Sequence, residues 1–148
     1  MHRGHATVAL DRPKCVANLG GALRAAQVYG AALVVVANMR MGRFATDTMK
    51  AWRHIPVQET DDVFAHIPYA SVPVAVEIHP RASSLITFAH PERAFYIFGP
   101  EDGSVKKDTL ERCRHIVAVP SNGCMNLAAT VNVVLYDRLA KQHRARLP

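Results

Sequence analysis

Val119–Gln142 reads VPSNGCMNLAATVNVVLYDRLAKQ: an apolar strand end, a run of small and polar residues, and then a long apolar helix pattern. Leu127, Val131, Val134, Leu135 and Leu139 fall at i, i+4, i+7, i+8 and i+12, the stripe of a helix that covers a sheet. Ala129, Val133, Tyr136 and Ala140 lie on its other sides, so the first turns are apolar nearly all round and need a second surface to pack against. Pro120 closes the strand, Asn122-Gly123 makes a turn, and Asn126 stands where an N-cap belongs.

Upstream of this stretch, short β-branched runs alternate with helical patterns. Ala6–Leu10, Leu33–Val36, Val72–Ile78, Ala94–Phe98 and His115–Val119 are apolar on both faces, as parallel strands under helices must be. Helices are expected over Gly20–Tyr29, closed by Gly30, over Thr46–Arg53, Asp61–His66 and Lys107–Cys113, and from Asn126 to about Gln142. The fold class is α/β, a mostly parallel sheet flanked by helices, and residues 1–148 are expected to form a single domain.

Composition narrows the function classes. Half of the 148 residues (49%) are apolar and 20% are charged, which excludes a disordered chain. No apolar run is long enough to cross a bilayer, and Met1-His2-Arg3-Gly4-His5 lacks the apolar stretch of a signal peptide, so a cytoplasmic protein without a membrane partner is expected. Cys15, Cys113 and Cys124 have no metal-ligand spacing, and no metal is expected. A net charge of +6 favours a polyanionic partner. The excess is concentrated at Arg40, Arg43, Lys50 and Arg53, opposed in that stretch by Asp47, and at Arg138, Lys141, Arg144 and Arg146, opposed by Asp137. Either cluster reads as well as a solvated face as it does as a phosphate-binding one.

Ligands of open α/β sheets gather beyond the carboxyl ends of strands. Three loops there carry polar signals. After the first strand, Asn18 can cap a helix through the amides of Gly20 or Gly21, with Arg24 a turn further on. Gly99-Pro100 ends a buried strand abruptly, with Glu101 just beyond it and Gly103 in the turn. The third loop runs from Pro120 to Asn126. Neither a dinucleotide fingerprint nor a nucleoside-triphosphate loop is present.

Together these read N-x-G-x-x-x-R, G-P-E-x-G and P-x-x-G-x-M-N-L. In that order and spacing they resemble the three motifs of the SpoU branch of the SPOUT RNA methyltransferases, with the greatest likeness to the minimal single-domain members that methylate a ribose 2′-oxygen of tRNA. The G-P-E-x-G stretch is one residue shorter than the family pattern, and Cys124 stands where serine is frequent. The resemblance implies an α/β trefoil knot at the C-terminal end, S-adenosylmethionine as cofactor, RNA as substrate and a homodimer built around the C-terminal helix. It further implies that the backbone at Val76, Gly99, Val119 and Cys124, with Met125 beside it, holds the cofactor. Asn18, Arg24, Glu101 and Asn126 then form the catalytic neighbourhood, with Glu101 able to fix Arg24 by a charge-assisted bond. Whether Arg24 acts as base or phosphate clamp stays open at this level, as do two other readings: a catalytically silent knotted RNA-binding or assembly factor, and a methyltransferase acting on rRNA or on a base.

Overall fold

A computed structural model describes residues 4–41 and 50–148. Its elements are β1 (His5–Asp11), α1 (Val16–Val28), β2 (Leu33–Ala37), β3 (Val57–Thr60), β4 (Val72–Val76), β5 (Ser83–Ser84), β6 (Arg93–Phe98), α2 (Lys107–Arg112), β7 (His115–Ala118) and α3 (Leu127–Arg144). Single 3-10 turns lie at Ala51–Arg53 and Leu85–Thr87. Among the described residues the strands form one sheet, β3-β2-β1-β6-β4-β7-β5, and every pairing is parallel.

The continuous apolar runs reflect cover on both faces. Val8, Leu10, Val34, Val36, Val74, Tyr96 and Phe98 pack with Leu19, Leu23 and Ala26 of α1 and Val131, Val134 and Leu135 of α3. On the opposite face Ala9, Val35, Phe95 and Ile97 meet Val63, and Ala75 and Ile116 meet Val105 and Leu110. The helices α1 and α3 approach closely because Gly21 faces Ala128, where an added Cβ would come within 2.7 Å of the alanine methyl.

The expected strands are all present, although β4 ends at Val76 rather than Ile78. The edge strands β3 and β5 go beyond the sequence reading. β3 has exposed residues and β5 is only two residues long, so neither carries an apolar signature. Asp61–His66 is a series of turns and no helix. The Thr60 hydroxyl accepts the Asp62 amide at 3.1 Å and the Asp62 carboxylate accepts the Phe64 amide at 3.0 Å, local bonds that compete with a helical ladder. The first half of the expected Thr46–Arg53 helix lies outside the described residues, and its end is the 3-10 turn at Ala51–Arg53.

Gly30 closes α1 as expected. It adopts φ +70°, its amide bonds Gln27 O at 3.2 Å and that of Ala31 bonds Ala26 O at 2.8 Å, the paired bonds of a Schellman end. The start of α1 differs from expectation: it lies at Val16, with Cys15 in the capping position making no side-chain cap. At α3, Asn126 does cap, its side-chain oxygen accepting the Ala129 amide at 2.7 Å. Leu139 is only half-buried, and Arg138 completes the buried stripe of the helix instead. Among the described residues no helix is long and apolar enough to cross a membrane.

Candidate functional site

The carboxyl ends of β6, β4 and β7, adjacent in the sheet, open into one cleft of about 170 Å³. Val76, Glu77 and Ile78 enter it from the end of β4, and Phe98 to Glu101 with Gly103 from the end of β6. The third wall is Val119, Ser121, Gly123, Cys124 and Met125, with Leu127 and Thr130 from the start of α3. Val76, Gly99, Val119, Cys124 and Met125 are thus brought together from three loops. Gly99 has a steric reason to be glycine: a Cβ there would stand 2.8 Å from the Val105 amide nitrogen, where the loop folds back. Among the described residues the lining contains Glu77 and Glu101 and no lysine, arginine or histidine.

Glu101 is the structural hub of this edge. Its carboxylate accepts the Lys14 amide at 2.9 Å, the Cys15 amide at 3.1 Å and the Asn18 side-chain amide at 3.3 Å. Partial burial opposes the charged form. The amides of Glu101 itself, Lys14 and Cys15 and the Asn18 side chain outweigh it, so the carboxyl is held below its ordinary range. A carboxylate supplied from β6 at the start of α1 explains why the helix begins before the glycines: it satisfies amides there and complements the helix dipole.

Two expectations are corrected by this geometry. Asn18 does not cap α1 through Gly20 or Gly21; it lies inside the first turn and donates to Glu101. Glu101 does not hold Arg24, because its oxygens are taken up by the chain leading into α1. Arg24 is exposed on α1, lines no part of the cleft, and forms no hydrogen bond or ion pair among the described residues. Asn126 also stands outside the cleft lining, as the exposed cap of α3.

The basic residues divide sharply. Arg40 makes a paired contact with Asp102 at 2.6 and 3.2 Å and donates twice to Arg12 O, at 2.9 and 3.1 Å. Lys14 lies 3.4 Å from the same Asp102, whose carboxyl is driven well below the usual carboxylate range, chiefly by the Arg40 bond. Arg12 donates to Ser104 O at 2.8 Å. Arg40 therefore ties down the loop after β6 rather than standing free. Arg43 lies outside the described residues. Lys50 is exposed in a left-handed backbone, φ +49°, and Arg53 is exposed with its guanidinium 5.3 Å from the Trp52 ring centre.

The expectation of a basic tail is corrected for Arg138 and Lys141, while Arg144 and Arg146 are exposed. Arg138 is 6% exposed and donates to Pro91 O at 2.6 Å, to Glu92 O at 2.8 Å and to the Tyr96 hydroxyl at 3.4 Å. Lys141 bonds Asp137 at 2.6 Å together with the carbonyls of Leu85 and Phe88. These cations fasten α3 to the segment before β6, since buried carbonyls there require donors. Glu77, Lys14 and Asp102 escaped the sequence reading. Glu77 carried a usable signal, an acidic residue directly after a buried strand, the same feature that singles out Glu101. Among the described residues no group of three or more His, Cys, Asp or Glu is arranged to hold a metal ion.

Sheet and cleft define an α/β domain with a cleft at the carboxyl edge of a sheet whose described strands are all parallel. Residues 5–136 match the SpoU rRNA Methylase family, and the chain belongs to that family. It is 25% identical over 130 residues to an uncharacterized tRNA/rRNA methyltransferase of Archaeoglobus fulgidus, in a match that takes in 80% of this chain. The chain spans 57% of the length of that curated relative. Among solved structures, the SpoU methyltransferase AviRb from Streptomyces viridochromogenes in complex with the cofactor AdoMet is similar at TM-score 0.82 and 17% identity, over 97% of this chain and 63% of that one. A structure described as giving insights into the 2-OH methylation of C/U34 on tRNA is similar at TM-score 0.80 and 20% identity, over 94% of this chain and 92% of that one. At such identities the likeness establishes a shared fold.

Proposed function

We propose that this protein is an S-adenosylmethionine-dependent RNA methyltransferase that methylates a ribose 2′-oxygen, with tRNA as its substrate. The observation that carries the reading is the composition of the cleft. Strand-end backbone at Val76, Gly99 and Val119 offers donors and acceptors, while Ile78, Met125 and Leu127 offer apolar contact for a heterocycle. Among the described residues the lining carries no cationic side chain, which suits a sulfonium and disfavours the phosphates of a nucleotide cofactor. Membership of the SpoU family and the AdoMet complex of AviRb support the same cofactor. Support for tRNA comes from the likeness, at TM-score 0.80, to the structure described as giving insights into the 2-OH methylation of C/U34 on tRNA.

In this reading Val76, Gly99, Val119, Cys124 and Met125 hold the cofactor, which supplies an electrophilic methyl group. Glu101 and Asn18 set the start of α1, and α1 presents Arg24. A guanidinium offers donors and no acceptor, so Arg24 acts as a clamp on phosphate or on developing oxyanion charge rather than as the proton acceptor. Lys50 and Arg53 meet the RNA backbone. Two copies pair through α3 and the adjoining end of α1, where Val28 (65% exposed), Val133 (37%) and Tyr136 (59%) leave an apolar face open. The C-terminal segment is threaded as in the family's knot. The reading is tested by incubating the protein with labelled cofactor and separated tRNA and rRNA, then digesting to nucleosides. A 2′-O-methylnucleoside from tRNA is expected. A base-methylated product, label only in rRNA, or no transfer at all overturns it, and the last outcome indicates a silent RNA-binding factor.

A further inference from the structure

The loop leaving β6 is one residue shorter than the pattern it resembles, yet it returns to the sheet at Val105, which is 4% exposed and packed with Ala75, Leu110 and Ile116. A buried backbone amide must find an acceptor. That of Val105 donates to Glu77 Oε2 at 2.8 Å. The other carboxylate oxygen, Oε1, accepts the Ile78 amide at 2.9 Å, while the amide of Glu77 itself donates to Val117 O at 3.0 Å. One residue thereby joins the end of β4 to the loop after β6 and to β7, the three strands whose ends form the cleft. The other ties of the loop are the bonds of Glu101 to Lys14, Cys15 and Asn18 and the exposed contacts of Arg40 and Lys14 with Asp102 and of Arg12 with Ser104, which are open to screening by salt. The bond to Val105 ends on the amide of a buried residue, and Gly99 packs against the same amide with no room for a side chain.

We infer that Glu77 is a positioning residue for cofactor binding: its carboxylate pins the shortened loop to the end of β4 and so holds Gly99 and Glu101 at the cleft. The inference rests on the reading of the cleft as the cofactor site. It implies a division of effects. Losing Glu77 loosens a wall of the binding site without removing a group from the reacting atoms, so cofactor affinity falls while turnover at saturating cofactor is retained.

The test compares the full-length parent with Glu77→Ala and Glu77→Gln, using S-adenosylmethionine and its demethylated product in calorimetry, and tRNA methylation for kinetics. Glu77→Ala is expected to weaken cofactor binding by about tenfold, to raise the cofactor KM by a similar factor and to leave kcat within about twofold. Glu77→Gln keeps one acceptor oxygen and falls between. Hydrogen exchange at the Val105 amide, measured without cofactor, is expected to accelerate in Glu77→Ala. Parent-like affinity or parent-like exchange in a folded variant overturns the inference, as does a loss of kcat at unchanged affinity. Should Glu77→Ala fail to fold, Glu77→Gln decides: intermediate affinity supports the inference and parent-like affinity refutes it. A parent that binds neither compound removes the cofactor reading itself, and this inference with it.

Discussion

Replacing Arg138 with methionine separates a structural cation from an RNA-binding one. Methionine retains an apolar stem along the helix and deletes the guanidinium, whose partners are Pro91 O at 2.6 Å, Glu92 O at 2.8 Å and the Tyr96 hydroxyl at 3.4 Å. No carboxylate stands within ion-pair distance of Arg138 among the described residues, so its value to the fold lies in those acceptors. Taking the two short bonds at about 1–1.5 kcal/mol each and the long one as negligible, the loss comes to about 2–3 kcal/mol. A chain of this size shifts by about 2–4 °C per kcal/mol, so the midpoint of thermal unfolding at neutral pH should fall by about 4–12 °C. The salt dependence of RNA binding should not move, because a buried side chain neutralises no phosphate; a true phosphate contact would change the slope by about 0.9. A Tm within about 1 °C of the parent would refute the reasoning, since it equates to well under 1 kcal/mol. A flattened salt slope in a protein of undiminished stability would return Arg138 to the RNA surface.

His90 supplies a pH test. Its Nε2 lies 2.7 Å from Asp137 and its Nδ1 2.6 Å from the Tyr96 hydroxyl. Burial lowers its pKa more than Asp137 raises it, so the folded value lies below the unfolded one; the stability it contributes is present above the unfolded value of about 6.5 and is lost as the pH falls through it. Thermal melts should therefore show stability declining from pH 7 to about 5 with a shallower decline in His90→Gln, the His5 contribution remaining, and equal slopes would refute the role. Tyr136→Glu in the apolar face of α1 and α3 should give a monomeric mass by light scattering where the parent gives a dimer, and a parent of monomeric mass sinks the pairing. Cys15 and Cys124 are exposed, whereas burial pushes the Cys113 thiol up to about 11. Iodoacetamide should accordingly modify the first two and spare Cys113, with added cofactor protecting Cys124; modification of Cys124 at an unchanged rate in saturating cofactor contradicts its place in the site.

The α/β class, the five central strands, the glycine end of α1 and the asparagine cap of α3 were legible because each is encoded within a few neighbouring residues. Runs apolar on both faces, a Gly where φ turns positive and an Asn before an apolar stripe act through short-range sterics and local bonds. Two of the loops that line the cleft were legible for a related reason, since Gly99-Pro100 and Pro120 end buried strands and the ends of parallel strands are where ligands sit, whereas Val76 came from the family resemblance alone. The fate of each charge was not legible. Glu101 meets Cys15 across 86 positions of sequence, Arg40 meets Asp102 across 62, and Arg138 meets Pro91 across 47. A cation read in sequence defaults to solvent or to an anionic partner, since charged side chains are rarely buried unless satisfied. Whether a carbonyl or a carboxylate waits to satisfy it depends on which distant segments the sheet order β1-β6-β4-β7 makes neighbours. The start of α1 belongs with these, because the carboxylate beside its first amides comes from the far end of β6. So does the bond from Glu77 to Val105. Local chemistry chose the elements and marked the edge where the cleft opens; the parallel stacking of strands distant in sequence decided which charges hold that edge together and which remain free to meet a ligand.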